Sequence, residues 1–108
     1  MTPYSRFRAR TFGQLGAAAL VAASASVHAA PSAADVRLWA ASCAACHGTH
    51  GRAEGAGLHL AGRPVKELYD ALIAYKTGTK AATVMHQHAK GYTDEELRAL
   101  ADHFSKVK

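Results

Sequence analysis

The run Cys43-Ala44-Ala45-Cys46-His47 restricts this chain more than any other feature. Two thiols three positions apart, followed directly by an imidazole, form the attachment signature of a c-type haem. The thiols add across the two vinyl groups of one porphyrin, and the imidazole reaches the iron from the same side. A chain fixed to a flat macrocycle at that point must fold around it. The sequence holds no other cysteine to compete for the pair. A C-x-x-C pair also occurs as a thioredoxin-like redox couple, a structural disulfide or half of a zinc site. The redox couple belongs to a βαβ context that is lacking here. Zinc needs a further ligand pair, which His47 with His50, His59, His86, His88 or His103 would have to supply.

The first 29 residues differ from the rest. Arg6, Arg8 and Arg10 form a positive segment, Leu15 to Val27 is small, apolar and uncharged, and Val27-His28-Ala29 has the small-residue pattern of a cleavage site. This reads as a Sec-type signal over residues 1–29, cut after Ala29, with one domain over 30–108 delivered to the periplasm. An apolar run this short falls below the roughly 20 residues of a comfortable membrane span; an uncleaved anchor is the alternative. There is no adjacent Arg-Arg pair to indicate a twin-arginine route. Three of the thirteen Lys and Arg lie in the signal, leaving ten against eight Asp and Glu. The basic balance is therefore mostly a property of the signal, and no nucleic-acid partner follows from it. About 79 residues remain, with aromatic bulk from Trp39, Tyr69, Tyr75, Tyr92 and Phe104 alone. A core of that size is marginal, and a covalent haem would supply the missing apolar interior.

Hydrophobic periodicity predicts three helices and no strand. Ser32 to Asp35 has capping-box form, and Val36, Trp39, Ala40 and Cys43 then fall on one helical face. Five glycines between residues 48 and 62 mark a loop in which backbone passes close to a flat group. Pro64, near the first helical position, opens a second helix with Val65, Leu68, Tyr69, Leu72 and Ile73 on one face, and Gly78 stops it. Residues 77–92 read as a second loop. Thr93 to Glu96 caps a last helix that presents Leu97, Leu100, Ala101 and Phe104.

With His47 as proximal ligand, one axial position on the iron remains. Met85 follows about forty residues later and is the single Met after the initiator. A thioether there gives His/Met ligation, which raises the potential. With both axial positions filled, the iron is closed to dioxygen and peroxide, which points to electron transfer and away from catalysis. His86 and His88 flank Met85 and are the rival sixth ligands, and an open or water-bound site is the third alternative. Lys76, Lys80 and Lys90 offer a weak docking patch near the Met85 segment.

Taken together, Cys43 to His47, Leu60-Ala61-Gly62-Arg63, Leu72 to Gly78 and Ala82-Thr83-Val84-Met85 resemble class I cytochrome c. The segment Ala89 to Leu97 is similar to the monohaem cytochrome subunit of flavocytochrome c sulfide dehydrogenase, and the likeness runs over about residues 35–105. The resemblance implies an all-α, small cytochrome c fold: three main helices around one covalent haem, with the first and last crossing so that Trp39 or Ala40 meets Phe104 or Leu100. It implies a periplasmic carrier of single electrons from a separate FAD-bearing subunit, and not an enzyme in itself. No dinucleotide fingerprint is present, since Gly55-Ala56-Gly57 neither follows a strand nor opens a βαβ unit. The alternative is a free diffusible shuttle between respiratory complexes, with a downstream cytochrome or oxidase as acceptor. One departure stands out. The family usually has Pro where this chain has Leu58, and that residue's carbonyl accepts a hydrogen bond from the proximal His. A Leu carbonyl serves equally, without the ring's rigidity.

Overall fold

The computed structural model describes residues 29–55 and 58–108. The proposed signal, apart from its last residue, and the pair Ala56 and Gly57 lie outside the described residues. Four α-helices run in the order α1 (Ala33–His47), α2 (Val65–Thr77), α3 (Met85–Lys90) and α4 (Asp94–Ser105), with one 3-10 turn (Thr49–Gly51) after α1. Among the described residues there is no strand. None of these helices is long and apolar enough to cross a membrane.

The expected caps form. Ser32 Oγ accepts from the Asp35 N–H at 3.2 Å, while Asp35 Oδ2 accepts from the Ser32 N–H at 3.1 Å and from its hydroxyl at 2.6 Å. Thr93 and Glu96 make the same reciprocal pair at the start of α4. The hydroxyl and then the backbone N–H of Ser32 hold the Asp35 carboxyl below its ordinary 3.8. A depressed folded-state value means that this contribution is complete above about 3.8 and is lost as the pH falls through the lower folded value. Ser32→Ala is therefore expected to lower the melting temperature by roughly 4 °C near neutral pH. The gap between variant and parent should narrow in melts below the ordinary Asp value.

Pro64 sits one position outside α2 as its N-cap, and Gly78, left-handed at φ 80°, closes the helix. Val65 opens α2 but remains exposed, and the first buried residue of the helix is Leu68. Within the segment read as a loop, Met85–Lys90 coils into the short α3. It carries neither Gly nor Pro, and its packing against α2 supplies what six residues cannot supply by themselves.

The core joins Val36 and Ala40 of α1, Leu68 of α2, and Leu100, Ala101 and Phe104 of α4. Trp39, Cys43, Leu60, Tyr69, Leu72 and Tyr92 pack around it, half-buried. The expected meeting of α1 with α4 around Ala40, Leu100 and Phe104 is present. Three further contacts tie the elements together. Trp39 of α1 stands edge-on to Tyr92, with ring centroids 5.8 Å apart. The Arg98 guanidinium of α4 lies 4.0 Å from the ring centroid of Tyr69 on α2. Lys76, at the end of α2, donates to Asp94 Oδ1, at the start of α4, at 2.6 Å. Lys76 is thus engaged, and Lys80 lies over Tyr75 at 5.0 Å. The lysine patch expected from the sequence is correspondingly reduced.

Candidate functional site

Cys43, Cys46 and His47 occupy the last turn and a half of α1, at spacings that place them along one side of the helix. Cys43 is half-buried against the core, and Cys46 is exposed. The two are not joined in a disulfide. Burial pushes the Cys43 thiol above its ordinary value, partly offset by a hydrogen bond from Ser42. Its Sγ lies 3.6 Å from the Trp39 carbonyl.

His47 is the one buried polar side chain among the described residues, with 8% of its surface exposed. Its Nδ1 lies 2.6 Å from the Leu58 carbonyl oxygen. A carbonyl only accepts, so Nδ1 carries the proton, and Nε2 of the neutral ring keeps a free lone pair. The backbone acceptor works without the proline. The chain returns to His47 through the 3-10 turn: Ala53 N–H donates to the His47 carbonyl at 2.8 Å, and Leu60 N–H donates to the Gly51 carbonyl at 2.8 Å.

The fold thus brings two thiols and one oriented imidazole together on a single helix end. Met85 comes from elsewhere, as the first residue of α3, half-buried. His86 beside it is half-buried and His88 is exposed. His50 and His59 are exposed on the loop, and His103 meets Phe104 edge-on at 5.2 Å. Among the described residues no three His, Cys, Asp or Glu side chains gather as metal ligands. The donor set fits a c-type haem: two unpaired thiols, an imidazole with Nε2 free, and a backbone acceptor that fixes the ring. Sequence reading missed α3, the Trp39–Tyr92 pair, and the Arg98 and Lys76 links to α2 and α4. None of these has a local signal: Lys76 and Asp94, for example, stand 18 residues apart, beyond the reach of helical spacing rules.

A family model described as "Cytochrome C oxidase, cbb3-type, subunit III" matches residues 31–104. The chain is 41% identical over 66 residues to the cytochrome subunit of sulfide dehydrogenase from Chlorobaculum tepidum, covering 61% of this chain and 60% of that protein. It therefore spans less than two thirds of that relative. It is 38% identical over 71 residues to cytochrome c-553 of Nitratidesulfovibrio vulgaris, covering 61% of this chain and 70% of that protein. With cytochrome c-553 of Helicobacter pylori the identity is 35% over 76 residues, covering 68% of this chain and 79% of that protein.

Proposed function

We propose, from the premise that this chain belongs to the cytochrome c family whose model spans residues 31–104, that it is the periplasmic electron-accepting partner of a sulfide-oxidising flavoprotein. The broader identity needs no proposal: the chain is a monohaem c-type cytochrome with one covalent haem c, an electron-transfer protein rather than a catalyst. The haem supplies reversible one-electron exchange at its iron. In the proposed reading Cys43 and Cys46 would anchor it by thioethers, and His47, through Nε2, and Met85 would ligate its iron. The observation that carries the ligand reading is the 2.6 Å contact between His47 Nδ1 and the Leu58 carbonyl. That bond fixes the ring tautomer and strengthens Nε2 as a donor. Residues 1–29 act as the export signal and residues 30–108 as the functional domain, in the compartment where haem is attached to exported chains.

The sulfide assignment rests on the 41% identity to the sulfide dehydrogenase cytochrome subunit. The likeness to two cytochromes c-553 favours the second reading, a diffusible shuttle between respiratory complexes. One experiment separates them. The holo-protein is isolated from the native periplasm, and any co-purifying flavoprotein is tested for sulfide-driven reduction of the cytochrome. Rapid reduction that requires the flavoprotein is expected. A cytochrome that stays oxidised with sulfide and flavoprotein, yet is reduced by a quinol-oxidising complex, belongs to the second reading.

A further inference from the structure

The acceptor of His47 is held by a chain of backbone contacts that ends on α4. The Gly51 carbonyl accepts from Leu60 N–H at 2.8 Å and from Ala61 N–H at 3.1 Å. One residue further on, Gly62 N–H donates to the Phe104 carbonyl at 2.9 Å, in the last turn of α4. Leu58 lies two residues before this clamped segment, so the clamp sets where its carbonyl stands relative to His47.

Gly51 is the point at which the loop packs against α4. It is buried and has a φ of 73°, a conformation that side chains rarely adopt. A Cβ there would lie 2.8 Å from Phe104 Cδ1, closer than a Cβ approaches another atom, and 3.0 Å from Leu60 Cβ, a tight contact. Phe104 is buried in the core and has little room to yield.

We infer that Gly51 is a positioning residue for His47: its bare α-carbon lets Phe104 and Leu60 close over it, and that closure holds the Leu58 carbonyl on Nδ1. The inference rests on the reading of His47 as an iron ligand. A firm Nδ1–H···O=C bond moves electron density into the ring, strengthens Nε2 as a donor and favours the ferric state. Loosening the clamp removes that bias and moves the potential in the positive direction.

The test uses the holo-protein and the variants Gly51→Ala, Phe104→Leu and, as a control in the core of α4, Leu97→Ala. Nuclear magnetic resonance of the ferrous form reads exchange of the His47 Nδ1 proton, and a redox titration reads the midpoint potential. Gly51→Ala is expected to speed that exchange at least tenfold and to shift the potential positive. Phe104→Leu, which removes part of the ring without backbone strain, should move both in the same direction by less. It carries the test if Gly51→Ala fails to mature. Leu97→Ala should lower the melting temperature and leave both readouts alone. The inference is overturned if the Gly51 and Phe104 variants lose stability as Leu97→Ala does while exchange and potential stay at parental values. If the parent's His47 ring protons show no ring-current displacement from the macrocycle, the ligand reading fails first, and this is seen before any variant is compared.

Discussion

Haem removal is expected to unfold the protein, with loss of most of its far-ultraviolet helical circular dichroism. The chain's own core explains why. Among the described residues eight hydrophobic side chains are buried, and three of them, Ala40, Ala89 and Ala101, have a single methyl each. Leu97 is the largest side chain fully out of solvent. Trp39, Tyr69, Leu72 and Tyr92 are only half-buried, so much of their apolar surface stays in water. Ordering each residue costs roughly 1–2 kcal/mol of backbone entropy. A domain of this size, with alanines in place of larger core residues, has little to set against that cost. The ion pairs do not close the gap, because Arg63–Glu67, Lys66–Asp70 and Lys106–Asp102 are solvent-facing pairs one helical turn apart. The measurement is a thermal melt of apo- and holo-protein followed at 222 nm. A cooperative apo transition of native amplitude would contradict the expectation.

The second large effect is that of Met85→Ala. The weak long-wavelength sulfur-to-iron band of the ferric protein should vanish. The potential should fall by on the order of a tenth or more of the roughly 0.8 V that axial ligands span across haem proteins. Carbon monoxide should then bind the ferrous form at neutral pH, while the parent remains inert. Met85 is half-buried at the first position of α3, outside the main core cluster, so the substitution leaves the packing of α1, α2 and α4 in place. Loss of the band therefore reads as loss of a ligand. Survival of the band in the variant, or its absence from the parent, would overturn the Met85 assignment; a parent without the band has His86, His88 or an open, water-bound position in its place.

The elements legible in the sequence were those whose signal is local. Ser32 with Asp35 and Thr93 with Glu96 announce helix starts, because a cap needs two residues three positions apart. The faces of α1 and α4 repeat over three turns, long enough for the 3.6-residue period to appear. The attachment run is a signature of fixed spacing within one helix end. Residues 85–90 make fewer than two turns and show no period, so α3 depended on α2 to be seen. Lys76 was read as a free surface charge because nothing local marks Asp94 as its partner. The role of Gly51 was equally hidden: a glycine in a glycine-rich loop gives no sign that Phe104, 53 residues on by chain numbering, lies against it.

The Lys76–Asp94 contact has a bearing on kinetic experiments. It staples the two ends of the segment that holds Met85, converting an 18-residue excursion into a closed ring. With side-chain exposures of 29% and 60%, the pair is open to counterions, and added salt slackens the ring. Ionic strength therefore acts inside this molecule as well as between it and a redox partner. A rate that falls with salt counts as evidence of docking only after Asp94→Ala has shown the same fall, since that variant loses the staple and keeps every lysine of the patch.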